Sequence, residues 1–207
     1  MLLVYPASDL DFQLSNLFFD MQQQRFTLRG QPILADWLHT GIKWVMVGVA
    51  LTSLAFAILA HWLVKLKPYQ TTLFWIFIGM VLSTSAVAIL KHYSMHGCPW
   101  DLTMYGGDLP FFELFQDPPA GAKAGGCFPA GHASGGFALM AFYLAFKQSH
   151  SRFAGIMLWL GLLMGLGMGV VQVMRGAHFL SHVLWSGWVV WVTLLIWYGL
   201  WTPKIKK

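Results

Sequence analysis

The stretch FAGIMLWLGLLMGLGMGVVQVM, residues 153–174, runs without a charge between Arg152 and Arg175. A helix that crosses the hydrocarbon core of a bilayer needs about 20 predominantly apolar residues. This stretch is therefore long enough and apolar enough to be a transmembrane helix. A buried helix of a soluble protein is the alternative for any single stretch of this kind.

Four further stretches share this character, so that the predicted spans are residues 44–64, 71–90, 131–146, 153–174 and 179–201. Of the 207 residues, 57% are hydrophobic and only 10% are charged. Soluble domains carry about 25% charged residues. The composition excludes a disordered chain and argues against an ordinary soluble protein. The sequence predicts an all-α polytopic membrane helix bundle with about five transmembrane helices and N-terminal interfacial helices.

The positions of the charges predict which way the spans face. Seven basic residues lie in two connectors and the C-terminal tail: Lys65, Lys67, Lys147, Arg152, Lys204, Lys206 and Lys207. By the positive-inside rule these segments face the cytoplasm. All eight carboxylates lie in residues 1–42 or in the loop 91–130, which are therefore expected outside. The net charge of +5 is spread thinly between apolar runs, which does not indicate a nucleic-acid partner.

Three regions follow from this pattern. Residues 1–42 are expected to form an outward-facing interfacial segment, because Leu10, Leu14, Leu17 and Phe18 recur at helical spacing. Within it, residues 32–38 suit a short helix with proline in its first turn. Residues 43–201 are expected to form the transmembrane domain with its outer loop 91–130, and residues 202–207 a cytoplasmic basic tail. No apolar signal-peptide region precedes residue 10, so no cleavable signal peptide is expected.

Polar residues gather at the outer ends of the spans in three clusters. The first runs from Lys91 to Asp101, the second is Pro129-Ala-Gly-His132, and the third runs from Gln172 to His182. The predicted topology brings all three to one membrane surface. Lys91 and Arg175 could instead be span-end residues that extend into the headgroups. His132 could instead be a histidine whose hydrogen bonds are satisfied at a tight helix start.

His178 and His182 are four residues apart and so project from one face of a helix. The spacing suits a metal pair, a nucleophile with its orienting partner, or two interfacial histidines. Asp117 is the last carboxylate in the chain, which leaves no nearby acidic ligand for a metal. Arg175 would repel a metal and attract a phosphate, so the cluster favours an oxyanion site.

The two cysteines, Cys98 and Cys127, both fall in the outer loop. An oxidising outer face permits a disulfide between them. We expect this bridge, with two unpaired cysteines as the alternative.

The three clusters together resemble the type 2 phosphatidic acid phosphatase and haloperoxidase superfamily over about residues 43–201. Its pattern is Lys-x6-Arg-Pro, then Pro-Ser-Gly-His, then Ser-Arg-x5-His-x3-Asp. Here Lys91 precedes Cys98-Pro99, and Pro129-Ala-Gly-His132 has Ala where the family has Ser. Val171-Gln172 replaces Ser-Arg before His178, and His182 replaces the Asp.

The resemblance implies a phosphatase that needs no metal and no cofactor. His178 would attack phosphorus to form a phosphohistidine, and His132 would protonate the leaving oxygen. Lys91 and the N–H groups near Gly131 would hold the phosphate oxygens. Because Gln172 stands where the family has Arg, Arg175 on the next helical turn is expected to reach the same pocket.

The replacement of the family Asp leaves open which group orients His178. A neutral His182 can accept the Nδ1–H of His178, but it stabilises an imidazolium less than a carboxylate does. An acidic partner has to come from the outer loop or the N-terminal segment. Asp101 is the first candidate, so Asp101→Asn is expected to cut turnover sharply and leave folding intact.

The sequence thus predicts a membrane lipid phosphatase at the outer face of a bacterial inner (plasma) membrane. Undecaprenyl diphosphate, phosphatidic acid, phosphatidylglycerophosphate and lipid A phosphate are candidate substrates. A lipid-to-lipid phosphotransferase and a degenerate lipid-phosphate-binding protein are alternatives. A haem-binding electron carrier is a third class, but its axial histidines would sit within the spans. The sequence leaves the oligomeric state open.

Overall fold

The structure is a computed structural model that describes residues 9–34 and 40–203. In these ranges the chain is mostly helical, with one short hairpin and a long loop between residues 93 and 130, which confirms the predicted all-α bundle. The described α-helices are α1 (Leu10–Asn16), α2 (Ile42–Leu59), α3 (Gln70–His92), α4 (Gly131–Phe137), α5 (Met140–Phe146), α6 (Ser151–Met174) and α7 (Leu180–Leu200). In the hairpin, β1 (Phe19–Asp20) pairs antiparallel with β2 (Arg25–Phe26). Short 3₁₀ turns occur at Lys67–Tyr69, Pro99–Asp101 and Thr103–Tyr105.

Four of the described helices are long and apolar enough to cross a membrane: α2, α3 with its preceding 3₁₀ turn, α6 and α7. They coincide with the first, second, fourth and fifth predicted spans. Large apolar side chains stay exposed along them, including Trp44, Trp159 and Leu200 at 64%, 66% and 78%. Apolar surface of this extent is covered by lipid in a membrane protein. The chain is therefore a membrane protein.

The third predicted span, residues 131–146, consists of two short helices and is not one continuous helix. This segment folds as α4 and α5, joined at Ala138 and Leu139 by hydrogen bonds between residues three apart. At 1.5 Å per residue the two helices extend about 24 Å, which is less than the roughly 30 Å of hydrocarbon. Most of the segment is buried against the other helices. It forms the centre of the bundle, where glycines and alanines let the neighbouring helices approach closely.

A face of small residues on α6 positions α4 and α5 at the centre of the bundle. Gly161, Gly165 and Gly169 recur every four residues and so share one side of the helix. A Cβ at Gly165 would lie 2.3 Å from the ring of Phe137, and one at Gly169 would lie 2.2 Å from Val183. The α6 backbone therefore touches side chains of α4 and α7 directly. Contacts between small residues of this kind drive helix association in membranes.

The N-terminal segment and the loop between α3 and α4 share a second apolar cluster, made of Phe19, Phe26, Leu102, Tyr105 and Phe179. The helix expected from the spacing of apolar residues in this segment is present as α1. The expected helix over residues 32–38 falls mostly on residues 35–39, and three lysines of the tail fall on 204–207. Both ranges lie outside the described residues.

We expect Gly165→Ala to lower the free energy of unfolding by about 1–3 kcal/mol, because the added methyl overpacks the contact with Phe137. Gly167→Ala is the matched control, since a Cβ there meets nothing within 4 Å. Alanine favours a helix over glycine by about 1 kcal/mol, so the control should hold or gain stability. Thermal unfolding in detergent micelles measures both. Equal midpoints would contradict the packing role of Gly165.

Candidate active site

Three ends of helices meet on one side of the bundle and carry the predicted motif residues. Lys91 lies in the last turn of α3, and its Cδ would be 3.3 Å from a Cβ on Gly131, the first residue of α4. The N–H of Ala130 donates to the carbonyl of His182 at 3.0 Å, which ties the start of α4 to the first turn of α7. The structure therefore brings the first two motifs to the two histidines of the third.

His178 and His182 form a buried pair. Their Nδ1 atoms lie 3.4 Å apart, and the two residues are only 6% and 5% exposed. At this distance one Nδ1 carries the hydrogen and the other accepts it. The two rings meet as a pair, but the prediction that they share one face of a helix is wrong, because α7 begins at Leu180 and His178 lies in the segment before it.

The surroundings of His178 keep its imidazole neutral. Burial lowers the pKa of His178 well below its ordinary value, and charge on His182, Lys91 and His132 lowers it further. A hydrogen bond to the Cys127 backbone acts in the opposite direction and does not reverse the shift. A neutral imidazole has one nitrogen with a free lone pair, which a nucleophile or a general base requires.

A disulfide joins Cys98 to Cys127, with Cα atoms 5.2 Å apart, which confirms the predicted bridge. The Sγ of Cys127 lies 3.3 Å from Nδ1 of His178 and 3.1 Å from the carbonyl oxygen of Ala177. The sulfurs of both cysteines and a ring nitrogen of His178 lie within 4.8 Å of one another, as in a metal site. Because the sulfurs are bonded to each other, neither is a thiolate, the form in which cysteine binds a metal.

Gln172 and Arg175 lie together at the end of α6. The Gln172 side chain is 2% exposed, and its Oε1 accepts a hydrogen bond from Arg175 Nη1 at 3.3 Å. Within the described residues, the buried Nε2 of Gln172 donates to no acceptor. A buried donor without a partner costs roughly 1–3 kcal/mol. An anionic oxygen bound there would remove this penalty.

Asp101 does not meet the histidine pair, so the expectation that it orients His178 is not supported by a contact. Its carboxylate accepts a hydrogen bond from the Trp100 indole at 3.0 Å. The Trp100 backbone N–H donates to the carbonyl of Gly176 at 2.9 Å. Asp101 therefore fixes Trp100, which holds the outer loop against the turn before His178.

Sequence reasoning missed Asp11, a carboxylate that contacts the first turn of α7. Asp11 Oδ1 accepts the backbone N–H of Ser181 at 2.9 Å, in the first turn of α7. Asp11 also lines a cavity together with His182 and His96. The sequence identified residues 1–42 as a possible source of an acid, but only the folding of α1 against α7 selects Asp11.

His96 is the second missed residue of this cavity. Its ring packs against Phe128 with centroids 5.6 Å apart, and Phe128 packs against His182 at 5.3 Å. Burial lowers the pKa of His96, while a hydrogen bond to the Glu113 backbone raises it. The remaining walls are largely apolar, including Phe111, Phe112, Leu114 and Phe179. The cavity thus combines a few polar groups with an apolar lining, as small-molecule sites do.

A family model described as the PAP2 superfamily matches residues 72–206. The match covers more than half of the chain, and the chain therefore belongs to the PAP2 superfamily. Members of this superfamily are generally phosphatases. No curated protein and no solved structure matches the chain.

We expect Asp11→Ala to lower the free energy of unfolding by about 0.5–2 kcal/mol, because it removes the acceptor of the Ser181 N–H at a helix start. Asp9→Ala is the control, since Asp9 is exposed and makes no capping side-chain hydrogen bond to α1. Thermal unfolding in detergent reports the difference. An equal effect of the two substitutions would mean that Asp11 does not stabilise α7.

Proposed function

We propose that the chain is a membrane lipid phosphatase that acts through a phosphohistidine on His178. The observation that carries the proposal is the buried His178–His182 pair with its Nδ1 atoms 3.4 Å apart. When His178 donates its Nδ1–H to His182, the lone pair of His178 lies on Nε2. This tautomer makes Nε2 the nucleophile, and His182 takes the orienting role that a carboxylate has elsewhere in the superfamily.

The reaction follows in two steps. Nε2 of His178 attacks phosphorus, the bond from phosphorus to the lipid oxygen breaks, and His132 donates a proton to that oxygen. Water then attacks the phosphohistidine, which releases inorganic phosphate and restores His178. Lys91, the N–H groups near Gly131, Gln172 and Arg175 hold the phosphate oxygens. The unpartnered Nε2–H of Gln172 supports this assignment.

The substrate class follows from the surroundings of the site. The motif residues lie at the ends of apolar helices, where a lipid headgroup is presented by the bilayer. A phosphate monoester or diphosphate on a lipid fits the cationic and hydrogen-bonding groups, as in undecaprenyl diphosphate, phosphatidic acid, phosphatidylglycerophosphate or lipid A. The basic connectors 65–70 and 147–152 adjoin the opposite helix ends, so the site faces the outside of a bacterial inner membrane by the positive-inside rule.

Release of inorganic phosphate from a panel of these lipids in mixed micelles tests the proposal. We expect His178→Ala to reduce the rate by about 10³-fold or more, because it removes the nucleophile. His92→Ala is the matched control, because His92 is exposed at the end of α3. Wild-type rates in His178→Ala would overturn the assignment of the nucleophile.

The second candidate is a protein that binds lipid phosphate without hydrolysing it. The presence of His182 where the superfamily has a carboxylate favours this candidate. A second imidazole stabilises an imidazolium less than a carboxylate does, so the chemical step loses electrostatic support. Binding of a lipid phosphate by the wild type with no phosphate release, and no acid-labile phosphoprotein, would establish this reading. Transfer of labelled phosphate to a second lipid would establish a phosphotransferase.

Substituting Asp11 and Asp101 one at a time tests which carboxylate supports the His178–His182 pair. We expect Asp11→Asn to lower phosphate release about tenfold, equivalent to about 1.4 kcal/mol, because it removes negative charge from the cavity that His182 also lines but keeps a helix cap. Asp101→Asn should stay within about threefold of the wild type, because Asp101 binds Trp100. A larger loss in Asp101→Asn than in Asp11→Asn would restore Asp101 as the acidic partner.

A further inference from the structure

The disulfide sulfur of Cys127 touches the atom that decides the tautomer of His178. Its Sγ lies 3.3 Å from Nδ1 of His178, and this Nδ1 also faces Nδ1 of His182. A sulfur in a disulfide has no hydrogen, so it can accept a hydrogen bond but cannot donate one. Next to an intact disulfide, an Nδ1–H of His178 has two acceptors within reach, this sulfur and Nδ1 of His182, which favours the tautomer that leaves the lone pair on Nε2.

We propose that Cys127 is a positioning residue for His178 and that reduction of the disulfide switches the site off. A dithiol reductant breaks the Cys98–Cys127 bond with two electrons and two protons, leaves two thiols and is itself oxidised to a disulfide. The thiol of Cys127 then donates to Nδ1 of His178, or transfers its proton to form a thiolate–imidazolium pair. In both cases Nε2 carries a hydrogen and cannot attack phosphorus.

The backbone keeps Cys127 in place when the disulfide opens. The N–H of Cys127 donates to the carbonyl of His96 at 3.0 Å, and the N–H of Gly126 donates to the carbonyl of Ser94 at 2.9 Å. Cys127 is fully buried, whereas Cys98 is partly exposed and gives a reductant its point of attack. The Ala177 carbonyl, 3.1 Å from the sulfur, is the competing acceptor, but the imidazole nitrogen is the more basic of the two.

Two single substitutions distinguish the effect of the contact between Cys127 and His178 from the effect of losing the disulfide. Cys98→Ala and Cys127→Ala both remove the disulfide, but only Cys98→Ala leaves a thiol against His178. The inference rests on the proposed function, and so phosphate release from lipid phosphates is the first readout. We expect Cys98→Ala, and wild type treated with dithiothreitol, to release phosphate at least about tenfold more slowly than Cys127→Ala. Equal rates in the two variants, or a slower Cys127→Ala, would overturn the proposal.

A second readout does not depend on catalysis. Nitrogen NMR of histidine-labelled protein in micelles, with His178→Ala to assign the signal, shows which ring nitrogen carries the hydrogen. We expect hydrogen on Nδ1 alone in the oxidised wild type, and on Nε2 after reduction of the wild type and in Cys98→Ala. An unchanged tautomer on reduction would overturn the proposal, even if reduction lowers activity by loosening the loop.

The two readouts distinguish failure of this inference from failure of the proposed function. If the oxidised wild type releases no phosphate from any lipid, the proposed function fails, and the NMR comparison still decides the role of Cys127. If phosphate release depends on His178 but Cys98→Ala equals Cys127→Ala, the function stands and the redox control is wrong.

Discussion

The contact between α4 and α6 sets the position of the whole candidate site. A Cβ on Gly136 would lie 2.5 Å from the backbone nitrogen of Gly165, so the two helices touch through their main chains. This approach carries α4 into the centre of the bundle and delivers its first residues to Lys91 and to the start of α7. In a membrane, where lipid tails are as apolar as leucine, close packing of small residues supplies the attraction that burial supplies in water. The geometry of His132 and His178 depends on it.

The length and hydropathy of the sequence predicted four of the helices, because crossing a membrane leaves a signature that does not depend on tertiary contacts. The same criteria did not reveal that residues 131–146 fold as two short helices at the centre of the bundle. An uncharged run does not show whether lipid or protein surrounds it, and both environments exclude unpaired charges. The composition of this run indicates protein surroundings, since its glycines and alanines are suited to close helix contact rather than to a lipid-facing surface.

The site was predictable where local spacing or membrane side determined it. The predicted topology places Lys91, Gly131 and His178 at one membrane surface. The pairing of His178 with His182 does not come from a shared helix face, because His178 lies before the start of α7. Asp11 was not predictable, because its contact with Ser181 spans most of the chain and depends on how α1 folds against α7. The role of Asp101 stays a prediction, and its observed contact is local: the indole of the neighbouring Trp100 donates a hydrogen bond to its carboxylate.

The candidate site contains few carboxylates, and this affects how its histidines gain protons during the proposed reaction. The pKa of His178 is lowered by burial and by the cationic or basic groups around it, and no carboxylate contributes to the shift. These surroundings hold His178 neutral and disfavour further positive charge beside it. A phosphate that binds beside Lys91 and Gln172 brings negative charge into the same volume and favours protonation of a nearby imidazole. In the proposed reaction, this negative charge favours the protonated form of His132 that the leaving oxygen requires. In this arrangement the phosphate itself supplies the charge that a carboxylate supplies in other members of the superfamily.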